Sequence, residues 1–164
     1  MKYLLTSLIL LTSLSLLAQK STAAKNQTVT GNWELVTVKS IASDGNVSYP
    51  YGENPFGSMY LGKDGFYSIQ IYQASRAKIE SGNKRKATPE ENMMLVKGSN
   101  AHYGSYTVST QEAMISYKPE HAFFPNWEGQ VLNQKYVLEG GLLTYTSGKS
   151  TFGARRSEVV WKRI

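Results

Sequence analysis

The sequence contains no cysteine. That excludes a disulfide framework, a thiol nucleophile, a thiolate metal site and lipid attachment through an N-terminal cysteine. It has two histidines, too few for a three-histidine metal centre. It has no phosphate-cradling glycine loop, no His-Glu-x-x-His and no Gly-x-Ser-x-Gly elbow. Its few acidic residues are scattered, and no pair of them reads as a general acid and base. No catalytic residue, metal or cofactor is therefore expected. No repeat or low-complexity segment follows the first two dozen residues.

What remains is a globular balance over 164 residues, with 41% apolar and 18% charged residues. Disordered chains are poorer in the first and richer in the second. The length suits a single domain. Fourteen glycines, eleven tyrosines and three tryptophans point to many turns and aromatic strands.

The N-terminus reads as an export signal. Met1-Lys2 is a short positive start, Tyr3 to Ala18 is largely apolar, and Ser21-Thr22-Ala23-Ala24 supplies small residues for cleavage. Cleavage after Ala24 divides the chain into a signal peptide, 1–24, and a domain, 25–164. A membrane anchor is the other reading, against which stands an apolar run shorter than the ~20 residues that span a bilayer. Removal of Lys2 and Lys20 takes the formal charge from +6 to +4. A charge so mild in an exported chain argues against nucleic acid as a partner. No later segment reads as a membrane span. The expected location is the periplasm or the outside of the cell, as a monomer or weak homodimer.

The rest reads as short strands joined by turns. Gly31 to Lys39 is a β-branched strand, and Asp44-Gly45-Asn46 turns it back toward Val47-Ser48-Tyr49. After a loop with two prolines come strands at Ser58–Leu61 and Phe66–Gln73. Alternation puts Tyr67, Ile69 and Ile71 on one face of the second, and Phe66, Ser68, Gln70 and Tyr72 on the other. Residues 74–100 break the rhythm with a basic stretch, either a solvated loop or an attraction for anionic lipid. One helix follows: Thr88 caps, Pro89 occupies the first position, Glu91 closes a capping box, and the helix runs to about Lys97. Met93, Met94 and Val96 are expected to dock it on the barrel. Strands resume at 103–108, 114–118, 130–138, 142–146 and 158–164, with Gly140-Gly141 as a hairpin turn. About eight or nine strands in hairpin order close most readily into an antiparallel up-and-down barrel, because closure removes exposed edges.

Several of these pieces carry a family resemblance. Gly31-Asn32-Trp33 resembles the Gly-x-Trp that opens lipocalins. The chain as a whole resembles the bacterial and fungal lipocalin-like domain family. The matching pieces are residues 31–36, Tyr49-Pro50-Tyr51-Gly52 with Pro55 and Gly57, residues 64–70, Tyr103-Gly104-Ser105-Tyr106, Phe124-Pro125-Asn126-Trp127-x-Gly129 and Val159 to Arg163. Where that family often has histidine this chain has Tyr117 and Lys118, and where it commonly has arginine this chain has Lys135; lysine lacks arginine's planar fork. The resemblance implies an all-β, lipocalin-like barrel of about eight strands with one short helix. It also implies that Arg163, two residues beyond Trp161, stacks on Trp33.

Two functions fit such a barrel. One is binding of a small, largely apolar ligand in the cavity. The other is a cyclase or isomerase using the same cavity, as some relatives with this fold act on polycyclic products. The candidate ligand-binding residues are Ser68, Gln70, Tyr103, Tyr106, Tyr117, His121, Asn126 and Trp127. Ser68 and Gln70 either face the cavity or face solvent. His121 either lines the rim or is an exposed loop histidine. The apolar loop His121–Trp127 is expected to lie under a cover, with the basic stretch and the helix as its lid. Plugging of one barrel end by this loop is the competing reading.

Overall fold

Alternating β-branched and aromatic residues form nine strands in a computed structural model, which describes residues 28–148, 153 and 156–164. They are β1 (Gly31–Ile41), β2 (Val47–Ser48), β3 (Phe56–Leu61), β4 (Phe66–Tyr72), β5 (Ser99–Ser109), β6 (Met114–Ala122), β7 (Leu132–Glu139), β8 (Leu142–Ser147) and β9 (Arg156–Arg163). Strands β3 to β9 each pair antiparallel with the next, β1 pairs with β3, and β1–β9 pairing closes the sheet. The result is an eight-stranded up-and-down barrel, all-β and lipocalin-like, with β2 as a two-residue flap on the end of β1. The expected barrel and its expected single α-helix are both present.

Inward side chains fill the barrel. Trp33, Tyr67, Ile115, Leu143 and Trp161 are fully buried, and Met59, Leu61, Ile69 and Tyr117 nearly so. The burial of β1 changes phase partway along it. Trp33 and Leu35 point inward, then Val38 and Ser40 do. The cause is a bulge in the β1–β9 pairing between Leu35 and Thr37, where one extra residue flips the faces.

The barrel has a closed end and an open end. At the closed end, Trp33 Nε1 donates to the Val29 carbonyl at 2.9 Å, and the Tyr106 hydroxyl donates to the Gly62 carbonyl at 2.8 Å. The Arg163 guanidinium lies 4.2 Å above the Trp33 ring, as the resemblance implied. The β3–β4 and β7–β8 connections at this end are tight turns. The long connections 42–55, 73–98 and 123–131 lie at the other end.

Two expectations about the β4–β5 connection fare differently. Helix α1 (Pro89–Lys97) forms with its capping box: Thr88 Oγ1 accepts from Glu91 N–H at 3.2 Å, and Glu91 Oε2 accepts from Thr88 N–H at 2.8 Å. Its Met93, Met94 and Val96 do not dock on the barrel, since each remains about half exposed. The helix is held by its cap and by Glu91, which also accepts from Glu80 N–H at 2.8 Å, rather than by apolar burial. Among the described residues, no helix is long and apolar enough to cross a membrane.

Candidate functional site

A cavity of about 300 Å³ occupies the open half of the barrel. That is roughly ten water volumes and lies at the small end of ligand pockets. Val38, Ile69, Ile71, Tyr117, Leu132, Tyr145 and Val159 make its apolar wall. Ser40, Asn100, His102, Gln134, Ser147 and Ser157 contribute polar atoms. Pro50, Tyr51, Trp127 and Val131, from the connections at the open end, complete its lining. No described lining residue is an Asp, Glu, Lys or Arg.

A bulge interrupts the pairing of β5 with β6. Tyr103 pairs with His121, but Gly104 pairs with Pro119, so Glu120 is the extra residue. The strands approach too closely there for a side chain. A Cβ on Gly104 would meet Lys118 O at 2.3 Å and Glu120 N at 2.7 Å, both backbone atoms. Pairing of β6 with β7 runs only from Met114–Lys135 to Tyr117–Leu132. Beyond it the loop 123–131 fills the gap. Trp127 N–H donates to the Phe124 carbonyl at 3.1 Å, Gly129 N–H donates to the Pro119 carbonyl at 3.0 Å, and Glu128 Oε1 accepts from Ala122 N–H at 3.1 Å. Thus fixed, the Trp127 ring packs edge-on against His102 at 5.2 Å and against Phe124 at 5.7 Å.

Inside the barrel is an aromatic stack. Tyr67 and Tyr117 ring centres are 4.7 Å apart, and Tyr117 and Tyr145 are 6.3 Å apart. Burial pushes the phenols of Tyr67, Tyr117 and Tyr145 well above the usual tyrosine range, and that of Tyr51 up to about 12. All four are neutral at physiological pH. The Tyr67 hydroxyl lies 2.9 Å from His102 Nδ1. Burial lowers the His102 pKa to about 4, so the imidazole is also neutral. If the phenol donates to Nδ1, its only hydrogen-bond partner among the described residues, the imidazole proton sits on Nε2. The cavity wall is then uncharged throughout its described part, with hydrogen-bonding groups at a few points.

The structure divides the eight candidates. Tyr117 and Trp127 line the cavity. Tyr106 is buried at the closed end, its hydroxyl spent on Gly62. Asn126 is exposed on the loop and lines no described cavity. Ser68, Gln70, Tyr103 and His121 come together on the outside of the barrel, with Phe123, around a more open groove. The expectation that Ser68 and Gln70 present polar groups to the interior is corrected here. Strand alternation gives the inward face of β4 to Tyr67, Ile69 and Ile71. His121 faces outward beside Tyr103 and lies 3.6 Å from Glu128 Oε1. The expected lid is also corrected: no residue of 73–98 lines the cavity, and Phe123 and Phe124 remain exposed.

The polar lining that sequence reading missed has local causes. Ser40 faces inward because of the β1 bulge. Asn100 and His102 belong to a β5 that starts at Ser99, four residues before the expected Tyr103. Gln134 alternates with Leu132 and Tyr136 on β7, and this inward parity was a legible signal. Among the described residues, no cluster of three or more His, Asp or Glu is placed to hold a metal.

No curated protein matches the chain. A family model for the lipocalin-like domain matches residues 30–164, which takes in every strand of the barrel, the capped helix and both walls of the cavity. The fold is one that supports ligand binding inside a barrel, and the chain belongs to the lipocalin-like domain family.

Proposed function

We propose that the protein is an exported binding protein that holds a small, largely apolar molecule in the open half of its barrel. The observation that carries this is the cavity itself. It is walled by aliphatic and aromatic side chains of the strands, with Tyr51 and Trp127 from the connecting segments completing its lining. Aromatic walls with few polar points are the usual makeup of such sites. Native mass spectrometry of the protein purified from its own cell envelope tests the reading. A co-purified small molecule that is lost on denaturation is expected. A protein that arrives empty and takes up no apolar probe would overturn it.

The export half of the proposal rests on Met1–Ala24, which lies outside the described residues. The secreted chain should begin at Lys25 or a neighbouring residue on N-terminal sequencing. A soluble chain that retains Met1 would remove this half.

A second reading, a cyclase or isomerase in the same cavity, draws on the Tyr67–His102 pair. A neutral imidazole hydrogen-bonded to a phenol at a cavity wall can pass a proton. Turnover of a candidate polycyclic substrate that is lost in His102→Gln, with binding retained, would favour it.

A further inference from the structure

The cavity has a polar defect that its walls leave unmet. Gln134 points inward from β7, opposite Ile115 in the β6–β7 register. Its Oε1 is buried and accepts no hydrogen bond from any described residue. Asn100 Oδ1, across the cavity on β5, is in the same state, although its side chain also interacts with the Tyr51 phenol. A buried carbonyl without a donor is costly, and native proteins rarely leave one so. Both residues line the cavity, so a side-chain torsion turns either oxygen toward an occupant.

The lining also excludes one large class of occupant. A carboxylate or ammonium ion drawn into this space would lose its hydration and meet no countercharge among the described lining residues. His102 supplies none either, because its imidazole is neutral at physiological pH. A neutral group that offers a proton meets the opposite situation, an acceptor already stripped of water.

We propose that the cavity selects an uncharged, largely apolar molecule bearing an N–H or O–H donor, such as a primary amide or alcohol on a ring system, and that Gln134 receives that donor. This deepens the binding reading above and rests on it. It differs from a purely apolar cavity, which takes hydrocarbon as readily, and from a carrier of organic acids, which needs a buried cation.

The test uses three probes of one shape: naphthalene, 2-naphthamide and 2-naphthoate, titrated calorimetrically at pH 7.5. The amide should bind about tenfold or more tighter than the carboxylate, and tighter than naphthalene. In Gln134→Met the amide should lose its margin over naphthalene, while naphthalene binding holds. Gln134→Leu is the second variant should the first not fold. Equal binding of amide and carboxylate would overturn the selection for uncharged molecules. An amide margin that survives in the folded variant would overturn the role of Gln134 and assign its oxygen to a water held in the cavity. Failure of all three probes would overturn the binding reading itself, which separates the two claims.

Discussion

The Arg163 guanidinium sits 4.2 Å from the centre of the Trp33 ring and donates to the Thr30 carbonyl at 2.8 Å, with a further hydrogen bond to the Thr28 carbonyl. One side chain from the last strand thus ties the first strand to the segment before it and covers the closed end. Cation–π stacking on Trp contributes about 0.5–2 kcal/mol, and the hydrogen bonds add to it. Arg163→Ala should therefore destabilise the protein by roughly 1–3 kcal/mol in urea unfolding. Arg163→Lys should recover only part of this, because an ammonium cannot stack and donate as a planar fork does. An Arg163→Ala midpoint equal to that of the wild type would show that the barrel end closes without it.

Stability should depend on pH through His102. Its folded pKa of about 4 lies below the unfolded value of 6.5. Between these values the unfolded chain takes up a proton that the folded protein refuses. The neutral imidazole thus costs nothing above pH 6.5, and stability falls as the pH drops from there toward 4. The loss over that window should approach about 3 kcal/mol. Urea midpoints measured from pH 7.5 to 4 should flatten in His102→Gln. An unchanged slope in that variant would assign the acid sensitivity to other groups.

Gly104 should not tolerate a methyl group. The bulge brings the Lys118 carbonyl and the Glu120 amide within 2.3 and 2.7 Å of a Cβ there, and neither backbone atom can step aside cheaply. Gly104→Ala should cost about 1–3 kcal/mol through backbone strain. Gly140→Ala is the control. Its Cβ would meet nothing within 4 Å, so its cost is limited to the positive φ of 57°.

Trp127 should act as an anchor in the cavity lining. It packs on His102, and the turn Pro125–Trp127 with Glu128 fixes its ring. Trp127→Ala should weaken binding of an apolar probe by about 1 kcal/mol or more, with little change in stability, since the ring is only half-buried. A large loss of stability with unchanged binding would make the loop a plug.

Much of the barrel was legible because strand alternation and hairpin turns are local signals. The β4 pattern of Tyr67, Ile69 and Ile71 against Ser68 and Gln70 is explicit in the sequence, as is the Thr88–Glu91 cap. Which face of β4 is inside was the harder question, and the larger apolar set decides it. The cavity lining was less legible because it depends on long-range register. A bulge at Val36 turns Ser40 inward, and β5 begins early because Tyr72 and Ser99 pair across the insertion. No local pattern announces either. The helix shows the opposite failure, since Met93, Met94 and Val96 look like a docking stripe but each stays about half exposed.

The inner cavity and the outer groove lie back to back on β4, which permits one decisive comparison. Ile71 points into the cavity, and Gln70, its neighbour, lines the groove outside. Titration of the neutral fluorophore N-phenyl-1-naphthylamine into wild type, Ile71→Phe and Gln70→Ala reads out which side binds. Filling the cavity in Ile71→Phe should weaken binding about tenfold or more, and Gln70→Ala should leave it unchanged. Binding that survives Ile71→Phe and falls in Gln70→Ala would place the ligand on the outside of the barrel and overturn the interior site.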